Sequence, residues 1–210
     1  TPVAPDLGAR LEGRRLEALD RHGKFLLGRL DDGLVWLLHL GMSGQLTLSE
    51  ALPPPRPHDH VVIRFEGDRV LTYNDPRRFG RIALVEHDAV AREAGAGVDA
   101  LAAELDTATL FRLTRHRRTS LKALLMDQRR IAGLGNIYVS ELLFQAGIRP
   151  RRAAGRVTRR DCDRIVTAMR AVLAEAIACG GSSIADYRDG FGALGYFQSR
   201  HQVYGRDGEA

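Results

Sequence analysis

The sequence predicts an α+β protein in which an antiparallel β domain is followed by a helical one, and three observations carry that assignment. From about Leu11 to Glu86, short apolar runs alternate with turn residues, as FLLGRL, DDG, LVWLLHL, GMSG and QLTL show in succession. Such alternation marks paired strands. From about Asp106 to Gly180, apolar residues recur at helical spacing instead. Between the two, Asp88 to Glu104 is rich in Ala and Gly and poor in β-branched residues, which suits a linker. The expected division is a β domain over 1–88, a linker over 89–105, a helical domain over 106–181 and a final segment over 182–210.

Taken in order, Asp31-Asp32-Gly33 is a hairpin turn between two apolar runs, and VVIRF, EGDR and VLTY repeat the arrangement around Gly67. Ala51 to Pro57 is proline-rich, where a sheet would be interrupted. In the helical domain, Leu121, Leu124, Leu125 and Gln128 follow one helical period, and Ile137, Glu141, Leu142 and Phe144 start another. Thr158 suits the N-cap of a long helix through Cys179, which Gly180-Gly181 would end. The remaining segment turns glycine-rich and then strand-like.

The turn between the first two helical series is the most informative stretch. Gly133 and Gly135 allow backbone shapes closed to other residues, and Asn136 stands where the second helix begins. A helix N-terminus offers free N–H groups and partial positive charge, so a phosphate fits there without any base being read. The turn by itself is equally compatible with a helical hairpin that holds no ligand. Charge adds to the case: a net charge of +5 and a pI near 9.7 favour a polyanionic partner. Arg112, Arg115, His116, Arg117 and Arg118 precede the turn, and Arg149, Arg151, Arg152, Arg156, Arg159 and Arg160 follow it. Of 31 basic residues only Lys24 and Lys122 are lysine. A lysine can lose its proton when desolvated whereas arginine effectively cannot, which makes an isolated lysine a candidate for proton transfer.

At 210 residues and 44% hydrophobic content the chain can bury one good core or two small ones. No apolar run approaches the roughly 20 residues of a membrane span, and no signal-peptide pattern opens the chain, so a cytoplasmic protein is expected. Cys162 and Cys179 lie too far apart along one predicted helix to bridge each other and form no CxxC pair.

RHGKFLL at 21–27, HLGMSG at 39–44, DPRRFG at 75–80, GLGNIY in the turn, GYFQ at 195–198 and VYGRDGE at 203–209 occur in this order. Together they resemble the formamidopyrimidine-DNA glycosylase family, whose members excise oxidised purines such as 8-oxoguanine and formamidopyrimidines. The resemblance covers nearly the whole chain and implies an N-terminal β-sandwich and a helix-two-turn-helix domain. HLGMSG and DPRRFG are similar to this branch rather than to the endonuclease VIII branch, which prefers oxidised pyrimidines and remains an alternative.

Residue by residue, the resemblance assigns Met42, Arg77 and Phe79 to the gap left when a damaged nucleotide swings out. A flexible thioether, a guanidinium and an aromatic ring suit that gap, the orphaned partner base and the stacked steps. It assigns His58, Arg77, Arg118, Lys122 and Asn136 to DNA contact. Lys24 takes the position credited with phosphate contact and acid-base help. His60 has no such match and is expected to be structural or superficial. Asp189 to Phe197 aligns with a loop that covers the flipped base.

The family's nucleophile is the secondary amine of an N-terminal proline followed by glutamate, which displaces the oxidised base at C1′ before elimination steps cut the strand. Here Pro2 lies between Thr1 and Val3, so its nitrogen is in an amide bond. The four-cysteine zinc finger expected after VYGRDGE is also absent from the 210 residues, so neither cofactor nor metal site is expected in them. These departures imply a chain truncated at both ends, with the first helix and strand of the sandwich missing and no activity of its own. Two hypotheses follow: a bifunctional glycosylase and lyase whose partner is duplex DNA with an oxidised base or abasic site, or a non-catalytic fragment that grips damaged DNA. A monomer is expected in either case.

Overall fold

The computed structural model describes residues 3–182, 190 and 193–206, which form two units. The first comprises Thr1–Ala94 with Gly180–Tyr196, the second Gly95–Cys179 with Phe197–Ala210.

In the first unit a short helix α1 (Leu7–Leu11) precedes strands β1 (Leu16–His22), β2 (Phe25–Leu30), β3 (Leu34–His39), β4 (Gln45–Ser49), β5 (Asp59–Arg64), β6 (Val70–Asn74) and β7 (Arg81–Glu86). Helix α2 (Val90–Ala94) follows. Hairpin chemistry sets the registers. Gly33 takes φ +83°, its N–H bonds the Leu30 carbonyl at 3.1 Å, and the Asp32 carboxylate accepts from the Leu34 N–H, so β2 and β3 meet as Phe25 opposite His39. Two antiparallel sheets result, ordered β1-β2-β3-β7 and β4-β6-β5. Trp36, Leu38 and Ile82 of one sheet and Tyr73 of the other share a core with Leu7, while Leu46, Val61, Ile63 and Leu71 pack against it. This is a β-sandwich whose edge strand β1 is almost wholly exposed.

The second unit holds β8 (Val98–Asp99), α3 (Thr107–Thr114), α4 (Leu121–Met126), β9 (Ile131–Ala132), α5 (Asn136–Gln145) and α6 (Arg159–Ala178). Asp106, Ser120 and Thr158 cap α3, α4 and α6 with their side chains. At α6 the cap is reciprocal: Thr158 accepts from the Asp161 N–H while Asp161 accepts from the Thr158 N–H. Asp161 also pairs with Arg164 at 2.7 Å and Arg152 at 3.1 Å. Burial works to raise its pKa, but these donors prevail and bring it down to about 2. Leu121, Leu124, Leu125, Val139, Leu142, Ile165, Met169 and Val172 form one core, entered from the C-terminal side by Phe197.

Three expectations need correction. Residues 89–105 are not a bare linker: α2 belongs to the first unit, and β8 pairs in parallel with β9, bonding Val98 N–H to the Arg130 carbonyl at 3.0 Å. The division falls between Ala94 and Gly95, because backbone pairing rather than composition decides it. Gln128 lies beyond α4, which ends at Met126 with Asp127 as its C-cap. The expected strand-like tail contains a 3-10 turn, Phe197–Arg200, and no strand among the described residues, because Phe197 is buried and the following amides are held in a turn. No helix among the described residues is long and apolar enough to cross a membrane.

Candidate nucleic-acid interface

In the β unit, the β3–β4 and β6–β7 connections both cross from one sheet to the other, and both are tied to a single buried carboxylate. Asp75 is fully buried at the end of β6. Its Oδ1 accepts from the Ser43 hydroxyl at 2.6 Å, and its Oδ2 accepts from the Tyr73 hydroxyl at 2.9 Å and the Gly80 N–H at 2.8 Å. Burial alone would raise its pKa, yet bonds from Ser43, Gly80, Tyr73 and Arg77 outweigh that and keep it below the usual carboxylate range. Desolvation and the Asp75 charge together lift the Tyr73 phenol well above its ordinary value. Ser43 in turn accepts from the Arg77 N–H at 3.2 Å.

The two connections also approach closely. Gly41 has φ +65°, and a Cβ there would sit 2.5 Å from the Phe79 carbonyl carbon. A Cβ on Gly80 would collide with the Tyr73 hydroxyl. On this base Met42 is 68% exposed and Phe79 58% exposed, with the Arg77 guanidinium 5.3 Å from the Phe79 ring centre. Two large apolar side chains held in solvent lose the stabilisation of burial, so their exposure calls for a use.

His58 joins the same end. It has φ +71°, is exposed, and its carbonyl accepts the Asp75 N–H at 3.1 Å. His60 instead turns inward and its Nε2 bonds the Asp75 carbonyl at 2.9 Å, a structural role. Lys24 is exposed in the β1–β2 turn, yet the surrounding protein desolvates it enough to lower its pKa. Nearby His39 is also lowered, by burial first and the Lys24 charge second, and its Nδ1 accepts the Gly41 N–H at 3.0 Å. That bond places the neutral ring's proton on Nε2.

In the helical unit, α5 differs from α3, α4 and α6 because no side chain caps it. Its N-cap is Gly135, in extended conformation, while Gly133 takes φ +106°, so only the first of the two glycines needs a shape closed to other residues. Gln128 fixes the turn: its amide nitrogen donates to the Met126 and Leu134 carbonyls, each at 2.8 Å, and its carbonyl accepts from the Gly133 N–H at 3.0 Å. Lys122 donates to Ser140 at 3.0 Å, and Ser140 to the Asn136 carbonyl at 2.8 Å. Lys122, Asn136, Arg151 and Ser120 line a surface depression of about 570 Å³. Arg118 lines a second one, of about 460 Å³, with His116, Arg117 and Arg130. Uncapped first-turn amides beside cations make an anion site.

Met42, His58 and Arg77–Phe79 thus gather at one end of the sandwich, and Lys122 and Asn136 in one depression of the helical unit. Arg118 stands in the adjoining one. Of the segment 189–197, residues 189, 191 and 192 lie outside the described residues, and the Gly190 carbonyl accepts the Leu48 N–H at 2.8 Å. Among the described residues, no group of three His, Cys, Asp or Glu side chains could hold a metal ion. Motif reading missed Ser43, Asp75, His39 and the true place of Gln128. Glu141 carried a signal, since a carboxylate stood on an apolar helical period. It is buried and accepts the N–H groups of Gln202, Val203 and Tyr204 at 2.8, 3.1 and 2.8 Å.

Residues 1–82 match the formamidopyrimidine-DNA glycosylase N-terminal domain and residues 96–188 the formamidopyrimidine-DNA glycosylase H2TH domain. The formamidopyrimidine-DNA glycosylase of Rhodospirillum rubrum is 47% identical over 213 residues, covering 99% of this chain and 76% of that protein. That of Thioalkalivibrio sulfidiphilus is 46% identical over 211 residues, covering 100% and 78%. Among solved structures, the MutM (Fpg) protein of Thermus thermophilus superposes with a TM-score of 0.86 at 40% identity, covering 98% of this chain and 79% of that one. Lactococcus lactis Fpg in complex with abasic-site DNA gives 0.85 at 31%, covering 95% and 74%.

Proposed function

Because the chain belongs to the formamidopyrimidine-DNA glycosylase family of DNA-repair enzymes, we propose that it holds duplex DNA carrying an oxidised purine or an abasic site, acting as a monomer. The helical unit grips phosphates through the α5 N-terminus, Asn136, Lys122 and Arg118. The β unit recognises an opened base step through Met42, Arg77 and Phe79, with His58 beside them. The observation that carries this reading is the exposure of Met42 and Phe79 on the buried Asp75 base, since a surface meant only for phosphates has no need of exposed apolar groups. Base flipping costs a few kcal/mol, and filling the vacated space offsets part of that.

The family reaction proceeds through a Schiff base on a free proline amine. The residues singled out above grip phosphate or fill an opened base step, and we assign them the gripping and flipping half of that reaction. Lys24, with its lowered pKa, contacts the phosphate near the scissile position and assists proton transfer. Fluorescence anisotropy of the 210-residue chain should show tighter binding to an abasic duplex than to an intact one. Borohydride should trap no covalent adduct at Lys24. Equal affinity for both duplexes sinks the recognition role, and a trapped adduct mapped to Lys24 sinks the proton-transfer role given to it.

A further inference from the structure

The β3–β4 and β6–β7 connections that carry the exposed side chains are held at their ends by strand pairing, His39 with Arg81 and Gln45 with Asn74, and the Ser43 to Asp75 hydrogen bond joins them between those ends. We propose that this bond locks Met42 and the Arg77–Phe79 pair into one rigid wedge, so that Ser43 and Asp75 are positioning residues for lesion recognition. The inference rests on the reading of Met42, Arg77 and Phe79 as gap-filling groups.

Three features support it. The bond is short, at 2.6 Å, and wholly buried, and a hydroxyl donating to an ionised carboxylate there is stronger than one in water. Ser43 works in both directions, donating to Asp75 and accepting from the Arg77 N–H, so the Met42 turn holds the backbone of the Arg77 turn directly. The missing Cβ of Gly41 lets that turn rest on the Phe79 and Gly80 backbone. Bonds between the middles of the two connections, added to the pairing of their ends, make the two exposed tips move together.

A network that merely stabilises the sandwich would serve equally well through its other arm, the Tyr73 hydroxyl, which lies on β6 and links no second turn. That difference gives the test. Binding to intact duplex and to a duplex with a tetrahydrofuran abasic analogue is measured for Met42→Ala, Phe79→Ala and the double variant, in three backgrounds: unaltered, Ser43→Ala and Tyr73→Phe. In the unaltered background the two losses on the abasic duplex should be non-additive by about threefold or more, the mark of coupled groups. Ser43→Ala should abolish that coupling and weaken abasic binding, with intact-duplex binding unchanged; Tyr73→Phe should keep the coupling even where its melting temperature falls as far.

Coupling that survives Ser43→Ala, or disappears equally in Tyr73→Phe, overturns the inference and leaves the recognition reading standing. A chain that never prefers the abasic duplex overturns both. Should Ser43→Ala fail to fold, the unaltered background decides alone, since additive losses there exclude a shared wedge.

Discussion

In the proposed reading, the β unit and the helical unit engage DNA in opposite ways. The β unit uses buried charge to hold side chains outward: Asp75 is fully buried, and its bonds from Ser43 and Gly80 tie down the two turns that carry the exposed Met42 and Phe79. The helical unit leaves one helix start without a side-chain cap while capping others, since Asp106, Ser120 and Thr158 cap three helices and no side chain caps α5. Side chains with shape can tell an opened step from a stacked one. Amides and guanidinium groups report only that a phosphate is present.

The comparison breaks most readily under salt. If about four phosphates are neutralised, affinity should fall roughly hundredfold between ~50 and ~200 mM salt, equally for intact and abasic duplexes. Anisotropy titrations in which salt erased the preference for the abasic duplex would place recognition on the helical unit instead.

Acidification sharpens the contrast next. The Asp161 pKa is about 2 when folded against an ordinary 3.8, so its stabilisation is fully present above roughly pH 4 and is lost as pH falls through 2. At neutral pH that contribution is about 2 kcal/mol. Urea unfolding of Asp161→Asn should therefore show lower stability than the parent at about pH 6 and a gap that closes towards about pH 2. A gap constant with pH would mean the Arg152 and Arg164 pairs contribute nothing through charge.

Phe79→Ala should weaken binding to the abasic duplex about tenfold, the scale of one lost stacking contact, and leave the intact duplex unaffected. Asn136→Ala has the smallest effect, about fivefold on both duplexes alike, the scale of one solvent-exposed hydrogen bond of about 1 kcal/mol. Competition binding with both duplexes checks the pair. A selective loss from Asn136→Ala would exchange the roles of the two units.

Much of this was legible beforehand wherever the cause is local. Asp32-Gly33 forms its hairpin, and Asp106 and Thr158 cap their helices, because each partner lies within a few residues. The motif around Met42 and Phe79 pointed to the candidate site for the different reason of resemblance. Gln128 was misplaced because helical spacing carries on through it, whereas its amide is taken by the Leu134 carbonyl and the Gly133 N–H, which periodicity does not register. The linker was misjudged for a similar reason: Val98 and Asp99 have no strand pattern of their own and pair only because Ile131 and Ala132 lie beside them.

The sequence by itself determined the α+β order, the hairpin turn at Asp32-Gly33 and the Thr158 cap, since these follow from backbone preferences and side chains a turn apart. Tertiary structure alone decided that Ser43 meets Asp75 across 32 positions and that Glu141 meets the amides of 202–204 across more than sixty. The physical reason is solvation. A carboxylate is ordinarily most stable in water, and only the assembled sandwich and helix core supply enough donors, from distant parts of the chain, to make burying these two preferable.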